Sequence, residues 1–141
     1  MSIFIQDALP PDLLAGFIRQ YGEDISAGAY SCFMGQVRGD VVDGKNVKAI
    51  EFTAYPEMAD EQMLVIAAQV KKQFGLKGLE VRHSLGTVMT GGICLFVLTV
   101  SAHRKAAMEA CNLLVERVKK ELPVWGKEIL EGEQYQWKTN Q

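Results

Sequence analysis

The chain has 141 residues, 48% of them hydrophobic and 23% charged, which is enough apolar material to bury one core without disulfide or metal staples and excludes both a disordered tail and a multidomain machine. Fifteen Lys and Arg against seventeen Asp and Glu give a formal net charge of −2, which argues against a nucleic-acid or membrane-surface binder and still leaves room for a local basic pocket. Residues 1–141 are therefore read as a single domain.

The opening stretch Met1-Ser2-Ile3-Phe4-Ile5-Gln6-Asp7 lacks the basic and long apolar regions of a signal peptide. Ile3 to Gln6 reads as a short strand. Pro10-Pro11-Asp12 then opens an apolar-periodic helix through Leu13, Leu14, Phe17 and Ile18 that ends near Gly22. Gly28 to Arg38 is β-prone, and an Asp43-Gly44 turn precedes the alternating strand Val47 to Ala54. From Glu57 to Phe74, Met58, Met63, Ile66, Ala67, Val70 and Phe74 recur at helical spacing, with Gly75 as the stop. Leu79 to Leu85 alternates like a half-buried strand. After a Thr90-Gly91-Gly92 break, Ile93 to Val100 is almost wholly apolar, as a central strand is.

Ser101 is the expected cap of a third helix running from about His103 to Glu121, whose inward stripe is Ala107, Ala110, Cys111, Leu114 and Val118. Pro123 ends it. Val124-Trp125 and Tyr135-Gln136-Trp137 are strand-like pieces around a Glu131-Gly132-Glu133 turn, and a polar tail begins at Lys138. Strands and helices mix without regular βα alternation, so the expected class is α+β with a mostly antiparallel sheet and three helices. No apolar run reaches the roughly 18 residues of a membrane span.

Three groups of cations are candidates for chemistry. His103-Arg104-Lys105 opens the third helix, where backbone N–H groups already favour an anion; the plainer reading is a solvated helix start. Arg38 follows an apolar strand and can aim a planar fork at an oxyanion, or be an ordinary surface charge. Lys119-Lys120 and Lys127 form a second basic cluster, although lysines complement a helix C-terminus in any case. Neither GxxxxGK[ST] nor GxGxxG occurs, which disfavours nucleoside-triphosphate chemistry. His83 sits mid-strand with no second histidine at metal spacing, so neither a metal nor a cofactor is expected. Cys32, Cys94 and Cys111 match no zinc or redox spacing. Their odd number argues against a disulfide framework, and they read as buried small hydrophobes in a reducing cytosol.

Taken in order, GxxxxFxGxVR (Gly28 to Arg38), AYPEMA (Ala54 to Ala59), HSLGxxxxG (His83 to Gly91), TVSAHRxAAMEA (Thr99 to Ala110) and VKKELPVWGKE (Val118 to Glu128) form a series. This series resembles the large, catalytic subunit of molybdopterin synthase, from about Gly28 to Trp137. The resemblance implies an α/β-hammerhead fold, a homodimer, and a small ubiquitin-like partner at each end, making a heterotetramer. It implies that the partner's C-terminal Gly-Gly thiocarboxylate delivers sulfur to cyclic pyranopterin monophosphate in two transfers, forming the dithiolene of molybdopterin in molybdenum cofactor biosynthesis. By the same resemblance Phe33 and Arg38 are strand-end pocket residues, His103 and Arg104 an anion-binding pair, and Lys119 the lysine of the sulfur-transfer step. Lys119 would act as a proton donor or as an amine that traps the acyl carbon, with Lys120 able to tune it.

Fifteen residues of one helix separate Arg104 from Lys119, about 22 Å at roughly 1.5 Å per residue. If both serve one site, they come from two chains. The chain also departs from the family pattern. Gly126 stands where a lysine follows the Pro-x-Trp tryptophan, and Lys127 comes one position later. Either a bulge swings Lys127 into the pocket as a second catalytic lysine, or that lysine is lost. Ser84 and Gly92 replace an arginine and an acidic residue, which reads as a coupled loss of an ion pair. The alternative function is a degenerate homologue that binds the small subunit, or an anionic metabolite, without efficient sulfur transfer.

Overall fold

A computed structural model describes residues 1–139. Its elements in chain order are β1 (Phe4–Gln6), α1 (Asp12–Tyr21), β2 (Ala29–Gln36), β3 (Val41–Val42), β4 (Lys45–Ala54), α2 (Pro56–Phe74), β5 (Gly78–Met89), β6 (Ile93–Ser101), α3 (Arg104–Glu121), β7 (Val124–Leu130), a 3₁₀ turn (Glu131–Glu133) and β8 (Tyr135–Trp137). The strands form one sheet in the order β2-β6-β5-β4-β7-β8, with β1 beside β5 and β3 beside β4. Only the β1–β5 pairing is parallel among the described residues. The fold is the expected α+β, three-helix architecture. The tail expected from Lys138 onward runs to Gln141, and positions 140 and 141 lie outside the described residues.

β6 is apolar on both faces because helices cover both faces of the sheet. Leu95 and Val97 enter a core with Met63, Ile66 and Val70 of α2 and Ala110, Leu114 and Val118 of α3. Phe96, Leu98 and Val100 meet Leu13, Leu14 and Phe17 of α1 on the opposite face. Thr99, wholly buried, donates its hydroxyl to the carbonyl of Ala107 at 2.6 Å, so its polar atom is satisfied while it ties α3 to the sheet. α2 begins at Pro56, one residue before the expected Glu57, because proline fits the first turn of a helix, and Gly75 beyond its last turn (φ +63°) is the stop that the sequence announces. Asp43 (φ +50°) and Gly44 (φ +78°) close a two-residue hairpin between β3 and β4.

Three expectations are corrected. Ser101 does not cap α3: it is the buried last residue of β6, its carbonyl accepts from the N–H of Gly28 at 2.9 Å, and His103 precedes the helix in extended conformation without a side-chain cap. β5 does not stop at Leu85, because Gly86 (φ +83°) carries the chain onward to pair with Phe52 of β4, and the strand ends at Met89. Cys32 is exposed, unlike Cys94 and Cys111. It alternates with inward-facing Phe33 on the edge strand β2, and α1 covers that face only in part, with Leu14 and Ile18 lining a shallow hollow beside it.

Candidate active site

The end of β2, the middle of the sheet, the last turns of α3 and the β7–β8 hairpin surround a cavity of about 640 Å³. Its floor is apolar: Phe33, Ile50, Phe52, Cys94 and Leu95 line it together with His83. Arg38, Asp40, Lys119, Glu128 and Lys138 add charge around that floor. Such a vessel, apolar below and ionic above, suits a small anionic ligand with a flat or aliphatic body.

Each side chain is placed by its element. Period-two alternation turns Phe33 inward from β2, and the Lys119 ammonium lies 5.9 Å from the centre of its ring, a cation–π contact. Lys119 follows Val118, which anchors that turn of α3 in the core. Arg38, just past β2, holds Asp40 through two bonds, Nε to Oδ1 at 2.8 Å and a second guanidinium N–H to Oδ2 at 3.3 Å. The Arg38 side chain is 84% exposed, so this pair contributes little stability and the guanidinium can turn to an incoming anion.

His83 is buried in the cavity wall, with the Phe52 ring edge-on at 5.1 Å. Its Nδ1 lies 2.8 Å from the carbonyl oxygen of Ser84. A carbonyl only accepts, so Nδ1 carries the hydrogen and Nε2 keeps its lone pair. Burial holds the imidazole below its usual pKa, the Ser84 carbonyl offsets part of that, and the positive charges of Lys138 and Lys119 push it lower again. The ring is therefore neutral at pH 7. Burial also pushes the Cys94 thiol up, against the opposing pull of the same two lysines, so the cysteine in the wall stays protonated.

Of the residues singled out from the sequence, Phe33, Arg38 and Lys119 share this cavity. Lys127 does not line it. The β4–β7 ladder runs without a bulge from Ala49↔Ile129 through Glu51↔Lys127 and Phe52↔Gly126 to Ala54↔Val124. Lys127 therefore faces away, 3.5 Å from Glu51 Oε1 and 4.8 Å from the centre of the Tyr135 ring, and of the two alternatives the bulge at Gly126 is absent. Glu128 takes the inward position instead. Lys120 is exposed outside the cavity, and His103 and Arg104 are exposed at the opposite end of α3. Ser84 is fully buried and its hydroxyl reaches the carbonyl of Ile93 at 3.5 Å, beside Gly92. Ser84 is thus bonded to the residue that follows Gly92. A Cβ at Gly92 would lie 2.7 Å from Val88 Cγ1, so a larger residue there requires repacking.

Sequence reasoning missed His83, Glu128, Gln136 and Lys138 as cavity residues. Only Glu128 carried a usable signal: two positions from Gly126 on one strand, it shares that residue's face.

The family model described as MoaE protein matches residues 8–121. The chain belongs to the MoaE protein family. Among the relatives in this family, the molybdopterin synthase catalytic subunit of Thermoplasma volcanium is 35% identical over 111 residues, covering 79% of this chain and 80% of that protein. The molybdopterin synthase catalytic subunit of indica rice (Oryza sativa) is 36% identical over 117 residues, covering 83% of this chain. The matched region spans 60% of the rice protein's length. The crystal structure of molybdopterin synthase from Staphylococcus aureus superposes with a TM-score of 0.82 at 26% identity, covering 99% of both chains. Among the described residues, no helix is long and apolar enough to cross a membrane.

Proposed function

We propose that this chain is the large, catalytic subunit of a molybdopterin synthase. It takes sulfur from the thiocarboxylated C-terminus of a small ubiquitin-like subunit and transfers it, twice, to cyclic pyranopterin monophosphate. The observation that carries this reading is that Arg38 and Lys119, drawn from different elements, line one cavity over an apolar floor.

The chemistry follows from those groups. A thiocarboxylate tail and a cyclic phosphate are both anions, and fixed cations in a partly dry cavity bind them more strongly than water-exposed ones would. The tail's sulfur is the nucleophile, so the chain needs no reactive thiol of its own. That agrees with a Cys94 held protonated in the wall. Lys119, steadied over Phe33, offsets charge developing on the departing phosphate oxygen as the ring opens and supplies its proton. Arg38 exchanges Asp40 for the substrate's phosphate. The tail's sulfur bonds to the carbon that the phosphate oxygen leaves, giving a thioester to the pterin, and water cleaves that thioester, releasing the tail as a carboxylate and keeping the sulfur on the pterin. A second loaded partner adds its sulfur at the adjacent carbon, whose oxygen departs as water, and its thioester is hydrolysed in the same way.

His103 and Arg104 lie about 22 Å of helix from Lys119, so they serve a second copy of the chain, and the working unit is a homodimer with one small subunit at each end. All of residues 1–141 act as one domain in it. Three cysteines with no disulfide among them fit a cytoplasmic location. A second reading, a relative that binds the small subunit or an anionic metabolite without efficient transfer, is favoured by one observation, the outward turn of Lys127. Mixing the chain with thiocarboxylated small subunit and the pyranopterin substrate separates the two. The proposed enzyme yields a product carrying two new sulfur atoms by mass spectrometry, and the degenerate relative yields none.

A further inference from the structure

We propose that Lys138 is the second oxyanion-binding residue of the cavity, delivered from beyond β8 to the place that the family pattern fills with a lysine at position 126. The inference rests on the proposed sulfur-transfer function and removes the main argument for the degenerate reading.

The register places Lys138. The β7–β8 ladder pairs Ile129 with Tyr135, Glu128 with Gln136 and Lys127 with Trp137. One step further, the backbone N–H of Lys138 donates to the carbonyl of Gly126 at 2.8 Å. Residues directly opposite each other on antiparallel strands project to the same face. Lys138 therefore shares the face of Gly126, Glu128 and Gln136, all of which line the cavity. Lys127, one residue out of phase, lies against Glu51 instead.

Space explains the exchange. A Cβ at position 126 would come within 3.0 Å of Ile50 Cγ2 and 3.1 Å of Phe52 Cε1, so the wide Phe52 side chain occupies the room that a residue at 126 would need. Glycine leaves that floor flat, and the opposite strand supplies the cation. Electrostatics agree: the charges of Lys138 and of Lys119 both act on His83 and on Cys94, which places two ammonium groups around one floor. The other ionisable group on this face, Glu128, accepts a hydrogen bond from Gln136 at 3.3 Å. The ligand class is an oxyanion, either the substrate's phosphate or the carboxyl end of the small subunit's tail.

The test uses the complex of the chain with its thiocarboxylated small subunit and compares Lys138→Ala, Lys138→Arg and Lys127→Ala. Lys138→Ala is expected to lower kcat/KM by about 10²-fold, the scale for losing one preorganised charged donor, with Lys138→Arg recovering most of it and Lys127→Ala within about twofold of the parent. A KM rise confined to the pterin assigns Lys138 to the phosphate, and one confined to the small subunit assigns it to the tail. An independent readout needs no turnover: in the chain alone, Lys138→Ala raises the titration midpoint of His83 followed by NMR, and Lys127→Ala leaves it in place. Lys138→Ala with parental kinetics, or an unmoved His83 midpoint, overturns the inference. If the unmutated complex makes no product, the sulfur-transfer reading fails, while the His83 titration still decides where Lys138 sits.

Discussion

Restoring a lysine at position 126 should destabilise this chain, although the family pattern carries one there. Gly126 is not among the glycines with positive φ, so its backbone accepts an L-residue, and filling a strand glycine returns about 0.5–1 kcal/mol of backbone entropy. Against this stand contacts of 3.0 Å to Ile50 and 3.1 Å to Phe52, where ordinary contact begins at 3.4 Å. The Phe52 ring is further hemmed in by His83, edge-on at 5.1 Å. Overpacking of this kind costs about 1–3 kcal/mol, so Gly126→Lys is less stable by about 1 kcal/mol at mid-range and by up to about 2.5 kcal/mol. With a urea m-value of about 2 kcal/mol/M, the unfolding midpoint falls by about 0.5 M at mid-range. A double-mutant cycle with Phe52→Leu locates the strain: the lysine should cost about 1 kcal/mol less once the ring is gone. A Gly126→Lys midpoint at or above the parent's, or strictly additive effects of the two substitutions, would refute the packing argument.

Three other outcomes follow from the same geometry. His83 is buried neutral with its pKa below the value of 6.5 it takes in the unfolded chain, so the unfolded state takes up the proton first. Its contribution is intact above pH 6.5 and declines as the pH falls below that value, by at most about 1.4 kcal/mol per pH unit. Urea midpoints between pH 7.5 and 5.5 should fall less steeply in His83→Gln than in the parent. Leu114→Ala should cost about 2–5 kcal/mol in chemical denaturation, because Leu114 is fully buried where α2, α3 and the sheet meet. Mixing equal amounts of a His103→Ala/Arg104→Ala chain with a Lys119→Ala chain should regain about a quarter of parental activity, since half the dimers are mixed and each holds one intact site. No recovery after subunit exchange would mean that each site is built from a single chain.

What the sequence revealed was local. The helical spacing of α2 from Glu57 to the stop at Gly75, the Asp43-Gly44 turn and the almost wholly apolar run of β6 are each signalled by neighbouring residues, and all three elements are present. What it concealed depends on pairing between distant strands. Ser101 has the chemistry of a helix cap, but its carbonyl is taken by the Gly28 N–H, and that bond exists only once β2 and β6 are in register. The exposure of Cys32 follows from β2 lying at the sheet's edge, a property of strand order and not of composition. Lys127 follows the Pro-x-Trp segment closely enough to look like a displaced site lysine, yet the face it presents is set by its pairing with Glu51. Lys138 had no signal at all. It meets Gly126 because Gly132, at φ +78°, helps turn β8 back along β7.

The most direct measurement of the central claim is a single-turnover reaction of the loaded small subunit and pyranopterin with the parent chain and with Lys119→Ala, the product's sulfur content being read by mass. The account predicts two sulfur atoms incorporated by the parent and a rate at least about 10²-fold lower for Lys119→Ala, with its urea midpoint lowered by no more than about 0.5 M, the scale of the lost Phe33 contact. Equal rates for the two chains would contradict it.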